Sequence, residues 1–247
     1  MMNGLVRLTF MELKLYLREP MAVFFGIVFP AGLVAVLGNI PSFRDPSKDL
    51  GGQRVIDLYV PIAIAMVLTM LAMSTLPALV GTYRERGILR RLSTTPVPPA
   101  ALLLAQTVVS LLVSVAASGL VMAVGRIAFD VALPRLLPAF VLAFLLAAGA
   151  LLAVGLLVAA LVPSGRTATA VGSLLFFPLL FFAGLWLPRQ VMPDVLRRIS
   201  DFTPLGAGVQ AMHDASAGSW PQPLHLAVMT GYLVVFGLLA ARTFRWD

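Results

Sequence analysis

The sequence predicts an all-α protein that crosses a lipid bilayer six times, and three observations carry that expectation. Of its 247 residues, 60% are hydrophobic and only 12% charged, whereas roughly a quarter are charged in a soluble domain. Six apolar runs approach the roughly 20 residues that a helix needs to cross about 30 Å of hydrocarbon. All 18 Lys/Arg and all 11 Asp/Glu fall outside those runs, which fits the cost of about 2.5–3.5 kcal/mol for a charge at a helix centre. Barrel strands would alternate apolar and polar residues over about ten positions, and these runs do not.

A helix is expected before the first run. In residues 5–19, Val6, Phe10, Leu13 and Leu17 share one face and Arg7, Lys14 and Arg18 form a stripe beside it. That pattern suits an interfacial helix, with apolar side chains below the headgroups and cations on the phosphates. The first span, 21–40, is about twice the length of a signal-peptide core and has no clear A-x-A site, so it reads as retained. Residues 41–57, with Pro41, Pro46, Gly51 and Gly52, form a loop leading to the second span, 58–82.

A basic island follows, "YRERGILRRLSTTPVPP" over residues 83–99, with Arg84, Arg86, Arg90 and Arg91 in one short stretch. Gly87 frees the chain from the second span, and a short helix then puts Ile88, Leu89 and Leu92 on one side and Arg90 and Arg91 on the other. Pro96 stops it. Pro98 and Pro99 lead into the third span, 100–125, where a proline in the first helical turn loses no hydrogen bond. The fourth span, 136–162, carries Gly149, Ala153 and Gly155, a small-residue surface for close helix packing. The turn 162–166 is so short that spans four and five, the latter 167–188, must form an antiparallel pair.

Residues 189–223 are too polar to span and too apolar for a free linker. Val191, Val195, Leu196 and Ile199 mark a short helix, Pro204 and Gly206 redirect it, and an external re-entrant or capping segment is expected before the sixth span, 224–241. With an even number of spans, both termini share a side. Ten Lys/Arg lie on that side and eight on the other. The density of the island places the termini in the cytoplasm. The net charge of +7 belongs to residues that flank spans, so anionic headgroups explain it and nucleic acid is not expected as a partner.

Several chemistries are missing. Lys14 and Lys48 are the only lysines and neither sits in a G-x-x-x-x-G-K-[ST] loop, so no ATPase site is present in this chain. There is no cysteine, and His213 and His225 lack ligand partners at i+3 or i+4, so no metal or cofactor is expected. "HDASAGS", residues 213–219, brings His213, Asp214 and Ser216 close in sequence but reads as a small-residue loop, whereas a hydrolytic triad needs a rigid scaffold and an oxyanion hole. The spans hold no carboxylate relay, and His225 sits only at the margin of the sixth. Energy for any transport therefore comes from outside the chain.

The island resembles the E-x-G-T-L-x-x-L-x-x-T-P-V segment of ABC-2 type transporter permeases: Glu85, Gly87, Leu89, Leu92, Thr95, Pro96 and Val97 match, while Ile88 stands in place of the usual Thr. Residues 177–212 are similar to the family's fifth-span ending, with Ala183 and Gly184 for its usual Ser-Gly, then Pro188, Pro193, Pro204 and Leu205. The resemblance runs from the interfacial helix to the last span and implies one ABC-2 (type V exporter-like) transmembrane domain over residues 1–247. It implies that 84–97 is a coupling helix docking into a separate ATP-binding subunit, where ATP and magnesium reside. Glu85 would fix the lever's base through ion pairs, Leu89 and Leu92 would pack into the partner, and Arg90 and Arg91 would meet its acidic rim. Two ATP-binding subunits and a second permease, the same or different, complete the complex.

The expected function is the permease subunit of a bacterial inner-membrane exporter of an amphipathic drug or antibiotic, with a lipid or polysaccharide as the alternative cargo. Phe177, Phe181, Phe182 and Trp186, with Phe176, are candidates to line the route; lipid contact and internal packing are their alternative uses. A membrane-embedded lipid-modifying enzyme and a partner-independent carrier are the readings from other classes. Topology alone would explain the arginines, but not Gly87, Thr95 and Pro96.

Overall fold

A computed structural model describes residues 2–50, 52–92 and 100–244. The described residues are helical with short 3₁₀ turns; they contain one isolated bridge, Pro46 to Arg54, and no strand. Helix α1, Met2–Leu17, precedes the first span α2, Pro20–Gly38, and the second span α3 is Val55–Glu85. The island helix α4, Ile88–Leu92, leads on to α5, Ala100–Phe129, then α6, Leu137–Leu161, and α7, Gly165–Ala183. Two shorter helices, α8 (Asp194–Asp201) and α9 (Pro204–Ala217), come before the last span, α10, Pro223–Thr243. Six of these helices are long and apolar enough to cross a membrane.

The spans lie where hydropathy puts them, but several run further. α3 takes in Asp57, Arg84 and Glu85, and α5 continues through Arg126 to Phe129. Hydropathy marks only the hydrocarbon-crossing part, whereas backbone hydrogen bonding continues and lets terminal charged side chains reach water. Asp130, with a left-handed φ of 54°, ends α5 and pairs with Arg126 at 2.5 Å.

α3 is the central element: 78% of its most apolar window is buried, against 28%, 22% and 17% for α2, α7 and α10. Its middle is a π-helical segment, Met70–Thr75, for which the sequence supplies a cause. Pro77 has no N–H for the Met73 carbonyl, so the ladder is already broken there. Two glycines close on the displaced carbonyls. A Cβ on Gly155 of α6 would lie 2.1 Å from the Ala72 oxygen, and one on Gly172 of α7 would lie 2.0 Å from the Met73 oxygen. Gly149 instead faces Leu233 of α10, so the small residues of α6 serve two different neighbours.

α2 repeats the device, with a π segment at Phe24–Val28 ahead of Pro30. Tyr16 of α1 fills the place where Gly26 has no side chain, and its hydroxyl donates to the Ala22 carbonyl at 3.0 Å. Burial pushes this phenol up to about 12. α1 is thus anchored into the bundle, not only laid on its surface.

At the end opposite the island, α8 and α9 cap the bundle. Asp201 binds Arg189 at 2.7 Å and His225 at 3.0 Å, and Ser200 donates to the Phe182 carbonyl at 2.6 Å. Desolvation raises the Asp201 pKa, but hydrogen bonds from Arg189 and His225, with their charges, outweigh it and hold the carboxyl below its ordinary value. Residues 213–217 belong to α9, a helix buried against α6 and α10, not to the loop expected there. Its small residues permit the close approach: a Cβ on Gly208 would lie 2.8 Å from that of Ala147.

Candidate coupling site

The basic island begins where α3 ends, and two adjacent side chains there straddle the turn between α6 and α7. Arg84 donates to the Ala159 carbonyl at 3.1 Å and to the Val162 carbonyl, and its guanidinium lies 5.5 Å over the Phe244 ring. Glu85 accepts the Gly165 amide at 3.2 Å. The cation therefore meets the orphan carbonyls at the C-terminus of α6, and the carboxylate meets an orphan amide at the N-terminus of α7. Each charge suits the helix dipole it faces.

Local sequence makes this contact possible. Val162, Pro163 and Ser164 alone separate the helices, and Ser164 caps α7 by accepting from the Thr167 amide at 3.1 Å. Gly81 lets α3 lie against the turn, because a Cβ there would sit 2.7 Å from the Gly165 nitrogen. Displacement of the end of α3 thus acts directly on the α6–α7 hairpin. Glu85 was expected to work through ion pairs; among the described residues it pairs with no cation, and its carboxylate holds the start of α7.

Gly87 adopts φ +64°, the left-handed conformation that lets the chain leave α3 and start α4 at once. Arg90 and Arg91 are exposed on α4. Leu89 is not available to a partner: only 1% exposed, it packs with Val80, Leu102 and Ala159 and, around them, Leu8, Tyr83, Leu103 and Phe244. It binds the lever to α1, α3, α5 and α6, which corrects its expected role. A short amphipathic helix has one apolar side, and here the bundle claims it. Thr95, Pro96 and the side chain of Leu92 lie outside the described residues, as does Val97.

Glu12, on α1, completes the site. Although 92% of its surface is buried, its Oε2 accepts from the Tyr83 hydroxyl at 2.9 Å and from the Gln106 amide at 2.5 Å. One carboxylate thus ties α1, α3 and α5 next to the island. Gln106 heads a buried stripe with Ser110, Ser114 and Ser118 on α5. Neither stands out in the sequence, where Glu12 reads as the solvated side of an interfacial helix and Gln106 as one polar residue in an apolar run. The four-residue spacing of that stripe was the available signal. Arg7, Lys14 and Arg18 are exposed, as are Val6, Phe10 and Leu17, so the outer face of α1 suits an interface.

The candidate aromatics divide. Phe177 and Trp186 are 58% and 54% exposed, 6.2 Å apart on the outer face. Phe181 and Phe182 are half-buried and meet edge to face, and Phe182 reaches a small cavity behind α7. The four do not converge on one passage in a single chain. His213 and Ser216 line one cavity, but no triad forms: His213, Asp214 and Ser216 bind Gln53, Gln210 and the Met212 carbonyl respectively.

Residues 4–215 match the family model described as ABC-2 type transporter. Among curated proteins, the "Putative transport permease YvfS" of Bacillus subtilis (strain 168) is 24% identical over 244 residues, covering 97% of this chain and 96% of the relative.

Proposed function

The chain belongs to the ABC-2 type transporter family as a multi-pass transport permease, and from that premise we propose that it is the permease subunit of an ATP-driven exporter. The observation that carries the proposal is the grip of Arg84 and Glu85 on the α6–α7 turn, beside an exposed pair of arginines on α4. A separate ATP-binding subunit, holding ATP and magnesium, presses on α4; the second span, α3, shifts; and the fourth and fifth spans, α6 and α7, move with it. Arg90 and Arg91 meet an acidic rim on that subunit. Two permeases and two ATP-binding subunits assemble with the termini on the cytoplasmic side of a bacterial inner membrane. Amphipathic, drug-like molecules are the proposed cargo, since apolar walls compensate apolar surface but not an isolated charge.

The test is co-purification with a Walker-motif ATP-binding subunit from the same cell. Replacing Arg90 and Arg91 by Glu should abolish the complex and ATP-driven export while the chain still inserts. A complex of undiminished affinity, exporting at the normal rate, would refute the docking role.

A further inference from the structure

A groove of about 570 Å³ opens between the junction of α1 with α2 and the outer side of α3. Its polar end carries Glu19 and Arg86, both exposed; its walls further in are Ala22, Phe25, Met70 and Ala78, interleaved with Ser74, Thr75 and Thr82, whose hydroxyl turns back on the Ala78 carbonyl. Glu19 precedes the first span and Arg86 follows the second, so both stand at the headgroup level of the island's leaflet. They carry opposite charge and share one groove, yet neither enters an ion pair among the described residues. Glu85, beside Arg86 in the chain, accepts the Gly165 amide, and Glu12 is taken by Tyr83 and Gln106.

The dimensions narrow the occupant. From Arg86 to Met70 is sixteen residues of α3, or about 24 Å at 1.5 Å per residue, which exceeds the roughly 15 Å of hydrocarbon in one leaflet. Drawn out over that length, 570 Å³ makes a long, narrow groove that suits an extended hydrocarbon chain. A cationic drug would satisfy Glu19 and leave Arg86 facing like charge. An anionic lipid would do the reverse.

We infer that this groove binds a zwitterionic phospholipid from the adjacent leaflet, its phosphate on Arg86, its amine on Glu19 and one acyl chain along α3. The planar guanidinium suits bidentate contact with phosphate. The second acyl chain lies outside, over Phe24 and Phe29, which are 46% and 39% exposed. The site stands apart from the export reading, since the residues that form it belong to one chain.

The test is native mass spectrometry of the full chain in detergent, titrated with phosphatidylethanolamine or phosphatidylglycerol. One phosphatidylethanolamine should be retained per chain, with phosphatidylglycerol bound about tenfold more weakly. Glu19→Gln and Arg86→Gln should each weaken phosphatidylethanolamine by about tenfold. The double exchange Glu19→Arg with Arg86→Glu keeps one charge of each sign and should restore binding to within about threefold of wild type. Equal retention of the two lipids, single variants within about twofold of wild type, or an exchange no better than the single variants would each overturn the site. Such failure leaves the export proposal standing, because the assay contains neither nucleotide nor partner.

Discussion

The clasp of two glycines on the π segment of α3 makes a quantitative prediction. In Gly172→Ala the new methyl would start 2.0 Å from the Met73 oxygen, whereas ordinary contacts lie at about 3.5–4.0 Å. The neighbour is backbone in the most buried span, so it cannot rotate away, and α7 must retreat by more than 1 Å. Overpacking costs about 1–3 kcal/mol, and the upper end applies where no side chain can yield. At about 2–4 °C per kcal/mol for a chain of this size, the melting temperature should fall by roughly 6–12 °C. Gly119→Ala on α5 is the control: nothing lies within 4 Å of its Cβ, and the better helix former should be neutral or gain up to about 1 kcal/mol. The assay is thermal unfolding of the purified chain in detergent, followed by size-exclusion chromatography. A melting temperature for Gly172→Ala equal to that of Gly119→Ala would refute the clasp.

Glu85→Ala removes one hydrogen bond to a helix end that Ser164 still caps, so stability should drop by about 1 kcal/mol or less. Under the coupling proposal, reconstituted complex carrying this variant should hydrolyse ATP without exporting; undiminished export would contradict the role given to Glu85. Leu89→Ala empties a buried site shared by four helices, and a loss of about 2–5 kcal/mol in stability is expected; unchanged thermal unfolding would mean that Leu89 faces a partner after all. Asp201 titrates below its ordinary 3.8 in the folded chain, so it stabilises the cap above the unfolded value and loses that contribution as pH falls through the folded one. The cap should therefore loosen below about pH 4, read from Trp186 emission, and Asp201→Asn should remove the pH dependence while loosening the cap at neutral pH; a variant with the wild-type acid profile would exclude Asp201 as its cause.

Much of the architecture was legible because insertion into lipid is a compositional constraint. Apolar runs of the right length, with no charge inside them, leave few alternatives to six helices, and the starts of α5, α6 and α10 fall where the runs begin. What hydropathy could not convey is which side of a helix meets protein. Val6, Phe10 and Leu17 form the apolar stripe of α1 and are exposed, while the buried side is built on Glu12 and Tyr16. A carboxylate on an interfacial helix normally signals solvent, and only the meeting of Tyr83 and Gln106 makes burial tolerable. Leu89 was misassigned for a similar reason, since the amphipathic pattern of α4 gives a preferred side without saying whose surface covers it. The small residues Ala, Ser and Gly in 213–219 suit a loop equally well. In a lipid-embedded bundle the same small side chains instead let helices touch.

The hold of Arg84 and Glu85 is unequal with respect to mutation. Both reach for main-chain atoms of the hairpin, Val162 and Ala159 carbonyls and the Gly165 amide, which every amino acid but proline would present alike at that amide. Sequence drift at the exposed Pro163 should therefore pass unnoticed, while one altered codon at 84 or 85 breaks the linkage. Labels or cysteine probes meant to follow the hairpin belong at position 163, since the neighbouring Val162 is packed with Val158 and Ala168.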